Sequence, residues 1–203
     1  MRSRPIHGGS VVPLLLISLA IMGSPGPATV SLVATGSAYG RQRSLPYLIG
    51  IIAGTTIVLL AVATGITAAL LAIPAIAAVL TVMAVVYILV LAYQIATAPP
   101  LKEQTAATSA PSLVGGLLLG IANPKAWIAI AAVFASTRLA DVATVDAASK
   151  IGLLTAMIIL ICATWLVAGT SLAPLLRDPR RARVVNVGLA ISVIVATAFA
   201  VLH

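Results

Sequence analysis

"MGSPGPATV", residues 22–30, interrupts what otherwise reads as one long apolar helix, and the reading of that interruption decides the fold. Two prolines (Pro25, Pro27) and two glycines (Gly23, Gly26) fall inside a run that begins near Val11 and turns hydrophilic only at Gly40-Arg41. Proline lacks a backbone donor and clashes with the preceding turn, so a helix cannot run through it undisturbed. The question is why the chain breaks its first helix there.

The solvent comes first. Of the 203 residues, 61% are hydrophobic and 8% charged, with a mean hydropathy of +1.18. Soluble domains are about half apolar and a quarter charged. Lipid is the solvent that permits a chain to be apolar on every face. The net charge of +8 forms no basic patch interleaved with aromatic residues, so nucleic acid is excluded as a partner. The basic residues fall between apolar runs, as in a multi-pass membrane protein. Cys162 is the one cysteine, which removes intramolecular disulfides and cysteine metal clusters. His7 and His203 lie at the chain ends, leaving no imidazole for a buried active site. No cofactor is implied.

A span needs about 20 apolar residues. Six segments qualify: 11–38, 47–72, 74–96, 113–137, 151–176 and 184–202. Between them lie Gly40-Arg41-Gln42-Arg43, a connection at 98–112 with Pro99-Pro100, Lys102 and Glu103, one at 138–150 that carries Asp141 and Asp146, and a basic one at 177–183. A tight turn at Ile73-Pro74 makes spans two and three a hairpin. The expected fold is a single all-α membrane domain over 1–203 with six transmembrane helices. Arg2 and Arg4 followed by an apolar stretch resemble a signal peptide, but the apolar run resumes after Pro27 for 11 residues, which a cleaved signal does not require. Arg41, Arg43, Lys102, Arg177, Arg180, Arg181 and Arg183 share one side, against Arg2, Arg4, Arg138 and Lys150 on the other. The positive-inside rule then puts the first group in the cytoplasm and both termini outside.

The fourth span is also interrupted: "LLGIANPKAWIAI", 118–130, carries Asn123-Pro124-Lys125 at its centre. Pro25 and Pro124 are 99 residues apart, Tyr47 and Ile151 104, Pro74 and Val184 110. A near-constant offset points to two three-helix repeats, 11–96 and 113–202, joined by the loop 97–112. A unit with an odd number of spans reinserts upside down, so the repeats are inverted. Matching interruptions in inverted halves are the sequence mark of a transporter site at the bilayer midplane. Ser24-Pro25 and Asn123-Pro124 each place a capping side chain before a proline, as at a helix start. Pro27 falls in the same first turn, and Gly26 permits close approach of backbone or ligand. Two restarted helices would aim free N–H groups and positive dipole ends at one place, a site for a carboxylate.

Lys125 is the one charged residue well inside a span, and it sits where a helix dipole disfavours a cation. A snorkelling lysine or a plain proline kink would explain either break alone. Two matched breaks sharing one buried cation favour a substrate site made of Ser24, Pro25, Gly26, Pro27, Asn123, Pro124 and Lys125. Ser31, Thr35, Tyr87, Tyr93, Gln94, Trp165 and Asn186 are read instead as interhelical hydrogen bonding or interface anchoring. Gly50/Gly54 and Gly116/Gly120 are small-xxx-small pairs for helix packing, within the protomer or in a homodimer.

With "SPGP" at 24–27, "GRQRSLPYLIGIIAG" at 40–54, "VYILVLAYQI" at 86–95 and "GGLLLGIANPKAW" at 115–127, the chain resembles the LysE/RhtB family of bacterial amino-acid exporters. The resemblance implies a six-helix plasma-membrane protein that exports amino acids or their derivatives, driven by the proton gradient. Ala28 stands where family members carry asparagine, and "IAIAAVFAS" replaces a phenylalanine-rich stretch, so the cargo is left open. Glu103, Asp141, Asp146 and Asp178 all lie in connections, which leaves no carboxylate proton relay within a span. Export of another small solute or a lipid-related substrate, and a non-transporting assembly role, are the alternatives. An intramembrane protease would need a buried Ser–His pair or paired aspartates, which are missing.

Overall fold

The computed structural model describes residues 8–65, 74–97, 110–171 and 178–202. The turn expected before Pro74, most of the 98–112 connection with Lys102 and Glu103, Arg177, and the chain ends with Arg2, Arg4, His7 and His203 lie outside the described residues. Those described fold into helices without strands: α1 (Gly8–Met22), α2 (Pro27–Ala63), α3 (Pro74–Ala96), α4 (Leu113–Ala122), α5 (Pro124–Ser136), α6 (Ala143–Ser171) and α7 (Pro179–Leu202). α2, α3, α5 and α7 open on a proline. A proline at the first helical position sacrifices only an N–H that would have lacked a partner, and its fixed φ is already helical.

α2 and α6, of 37 and 29 residues, are long and apolar enough to cross a membrane, and α4 with α5, bent by 58° at their break, form a third if taken as one span. α2 is not a straight rod. Gly40 has φ 76° and ψ 171°, a conformation outside the helix and in the region where glycine carries no Cβ penalty. Beyond it the chain doubles back. Tyr47 donates its phenol O–H to Ser31 Oγ at 3.0 Å, and Ser44 Oγ donates to the Thr35 carbonyl at 3.1 Å. Sixteen residues of continuous helix would separate Tyr47 from Ser31 by about 24 Å. Residues 27–39 and 41–63 are therefore the two arms of a helical hairpin, with the polar Gly40–Arg43 stretch at its bend.

α2 packs chiefly on α4 and α6, while α3 packs on α7. Leu32, Tyr47, Ile51, Leu119, Ile130 and Leu154 are fully buried between them. The outer faces remain apolar: Leu16 and Ile128 are each 62% exposed, Leu160 61% and Val184 73%. Exposed apolar surface on this scale suits lipid. Lipid tails are as apolar as leucine, so helix association there rests on close packing and interhelical hydrogen bonds. The small-xxx-small pairs supply the former. Gly50 and Gly54 lie against Leu113, Gly116, Leu117 and Gly120 of α4, so that a methyl at Gly50 or Gly116 would run into the facing backbone carbonyl. These glycines join helices within the protomer.

Candidate functional site

The first break is built from both sides. α1 ends at Met22, and the Gly23 N–H still reaches Leu19 O at 3.0 Å. Ser24 does not cap the following helix, as its place before Pro25 suggests. It donates its Oγ–H backward to Ile21 O at 2.8 Å, satisfying a carbonyl at the end of α1. The helix restarts at Pro27, with Gly26 extended at φ −165° as its N-cap. Thr29 completes the cap from inside: Gly26 N–H donates to Thr29 Oγ1 at 2.8 Å, and the Thr29 hydroxyl returns a bond to Gly26 O at 3.1 Å.

At the second break the sequence reading of the helix start matches the geometry. Asn123 is the N-cap of α5 and Pro124 its first residue. Its side chain, however, makes no capping hydrogen bond. Asn123 is 5% exposed, and its Oδ1 is buried with no hydrogen-bond partner. An unpartnered buried acceptor costs about 1–3 kcal/mol, so its retention needs a reason.

Lys125 joins the breaks. Its ammonium donates to Ser24 Oγ at 2.8 Å and to Pro25 O at 3.1 Å, and the Ser24 carbonyl accepts as well. An ammonium has three N–H donors, and all three are thereby used. The contacts also explain how a cation is tolerated in the first turn of α5. Ser24 and Pro25 follow the C-terminus of α1, the negative end of its dipole, which offsets the positive end of α5. Gly26 makes the approach possible, because a Cβ there would lie 2.6 Å from Lys125 Cδ.

Two indoles close the ends of the upstream half-helices. Trp165 on α6 donates to Gly23 O at 3.2 Å, and Trp127 donates to Ile121 O at 2.6 Å. Trp165 thus forms an interhelical bond as expected, but at the edge of the first break. The sequence reading passed over Trp127 within its motif, and it also missed Thr29 and Thr55. Thr29 was findable, since it sits three residues after Gly26 in the position that completes a cap.

A cleft of about 50 Å³ opens between the breaks. Of the seven residues expected at a site, Gly26, Asn123 and Lys125 line it. Ser24 and Pro25 hold the ammonium from outside the lining, and Pro27 and Pro124 set the two helix starts. Thr29 and Thr55 add hydroxyls, and α6 contributes Ile158, Ile161 and Cys162. The N-terminal turns of α2 and α5 both border this space, through Ala28 and Thr29 on one side and Lys125 and Ala126 on the other. Ser31 and Thr35, one and two turns further along α2, are buried in packing; Ser31 serves Tyr47.

A second cation, Lys150, is buried where Lys125 is half-buried, and has a different character. It is 5% exposed, pairs with Asp146 at 2.8 Å and lies 5.0 Å over the Phe134 ring. Asp146 in turn accepts the Leu139 N–H, so the pair ties the 137–142 segment to the start of α6. Among the described residues no group of histidine, cysteine, aspartate or glutamate side chains could hold a metal ion.

Residues 19–203, most of the chain, match the family described as LysE type translocator. No curated protein and no solved structure matches the chain. The helix breaks, the apolar exterior and this match agree: the chain belongs to the LysE type translocator family, whose members are membrane exporters of small solutes rather than enzymes.

Proposed function

We propose that this protein is a secondary exporter of amino acids or their derivatives across the bacterial plasma membrane, driven by the proton gradient. In this reading the six apolar segments span the bilayer as two inverted three-helix repeats, with both termini outside. The repeats rock about a substrate held at Ser24–Pro27 and Asn123–Lys125. A homodimer is compatible with it.

The observation that carries the reading is the bridge from Lys125 to Ser24 and Pro25 beside two helix N-termini. A substrate carboxylate entering the cleft meets the free N–H ends of α2 and α5 and the Lys125 charge. Because the ammonium donors are already committed, the carboxylate replaces the acceptors of the first break. Lys125 then lets go of Ser24 and Pro25, and substrate binding is coupled to the separation of the two breaks. Asn123 Oδ1, a buried acceptor without a hydrogen-bond partner beside the cleft, is placed to take a donor, which the α-ammonium of an amino acid supplies. A simple carboxylate would leave it orphaned.

The test is efflux from dipeptide-loaded, exporter-deficient bacteria expressing the wild-type chain or Lys125→Ala. Export is lost in the variant while its level in the membrane fraction is unchanged. Undiminished efflux from Lys125→Ala would remove the proposed role.

A further inference from the structure

We infer that the cleft selects amino acids with short, neutral, aliphatic side chains and rejects those with basic or acidic ones; the inference rests on the amino-acid reading above. Once Lys125, Asn123 and the two helix starts are assigned to the carboxylate and ammonium, the remaining lining is what a side chain meets. That lining is Ile158, Ile161 and Cys162 from α6, Ala129 and Ile130 from α5, Met22 from the end of α1, and the neutral hydroxyl of Thr55 from α2. None carries a charge.

A basic side chain needs a counter-ion when it leaves water, because burying an unpaired charge costs far more than burying a methylene. The carboxylates among the described residues are Asp141, Asp146 and Asp178, and none lines the cleft. The charge that does line it, Lys125, is positive and would repel a second cation. An acidic side chain fares little better, since it brings a second carboxylate to a single ammonium. Thr29 Oγ1 is committed to the Gly26 cap, and the Thr55 hydroxyl, a neutral dipole, is no counter-ion for an incoming charge.

Size limits the cargo to a small molecule. About 50 Å³ is far below the several hundred that drug-sized ligands occupy. The alanines at 28, 126 and 129 make what room there is, between isoleucines that limit it. Leucine and lysine are nearly equal in volume, so it is the uncharged lining that separates alanine, valine and leucine from lysine, arginine and glutamate.

The experiment is counterflow in proteoliposomes of the purified full chain, with radiolabelled valine, leucine, alanine, lysine, arginine or glutamate. Valine, leucine and alanine exchange at least about 100-fold faster than lysine or arginine, and excess unlabelled lysine leaves valine counterflow unaffected. Cys162→Asp, a substitution of similar volume that puts a carboxylate on the α6 wall, raises lysine exchange relative to valine by tenfold or more. Lysine or arginine exchange within tenfold of valine in the wild type would overturn the selectivity while leaving amino-acid export standing. An inserted Cys162→Asp protein with unchanged preference would also overturn it. If no amino acid exchanges with the wild-type protein demonstrably inserted, the export reading fails and this inference falls with it. The competition measurement on the wild-type protein decides the question even where Cys162→Asp does not fold.

Discussion

Lys125 and Ser24 are 101 positions apart in the chain, yet the ammonium of one lies 2.8 Å from the hydroxyl of the other. Each belongs to a different interrupted helix, so this contact is where the two halves of the sequence meet at their weakest points. Removing the hydroxyl tests how far the halves depend on it. Ser24→Ala leaves the carbonyls of residues 24 and 25 to the ammonium and costs about 1.5–3 kcal/mol, the range for a hydrogen bond to a charged group. Lys125→Met costs more. Thermal unfolding of the two single variants and the double variant in detergent gives the coupling: the double variant is less destabilised than the sum. Strict additivity would show that the contact carries no energy.

Gly26 is the second point of closest approach. A methyl at this position meets Lys125 Cδ, the flexible part of that side chain, so the ammonium is displaced rather than the helix. Gly26→Ala therefore lowers efflux by about tenfold, worth about 1.4 kcal/mol of misplacement, with little loss of thermal stability. Gly188→Ala, where an added Cβ meets nothing within 4 Å, is the matched control and leaves efflux unchanged.

The α2–α4 crossing predicts the opposite pattern. Gly50 and Gly116 face backbone atoms, which cannot move aside as a lysine methylene can. Gly116→Ala destabilises the protein by about 1–3 kcal/mol, the cost of overpacking a close contact, and Gly116→Leu prevents folding. Gly152→Ala on α6, where a Cβ meets nothing, stabilises by about 0.5–1 kcal/mol through helix propensity. Midpoints of thermal unfolding in detergent separate the three.

Buried Lys150 pairs with half-buried Asp146, their side chains 6% and 14% exposed. Asp146→Asn strands the lysine and releases the Leu139 and Ala140 N–H groups from a full carboxylate charge. It costs about 1–3 kcal/mol, and Asp146→Asn with Lys150→Met recovers much of the loss. Substrate preference in counterflow is unchanged in both, because neither residue lines the cleft.

The positions at which helices stop and start were legible in the sequence because proline and glycine act locally. Pro74 and Pro124 open helices where the apolar segments place them, and Gly40 bends α2 because its own backbone permits a positive φ. By contrast, α6 starts at Ala143 and α7 at Pro179, ahead of the apolar runs at 151 and 184, because a helix continues into polar residues that hydropathy assigns to a connection. The packing glycines were legible for a similar reason, since a spacing of four puts both on one helix face. Whether they joined helices within a protomer or between protomers was not. Side-chain partners escaped the sequence almost wholly. Ser24 reads as the cap of the helix after it, yet it serves the helix before it, because the restart falls two residues later than Pro25 suggests. Trp127 and Thr55 carry no local mark of a cleft. Lys125 shows by its charge alone that something must offset it, and its position 101 residues from Ser24 hides what does. Backbone conformation is decided by neighbours along the chain; the partners of a buried polar group are decided by whatever tertiary packing brings within 3 Å.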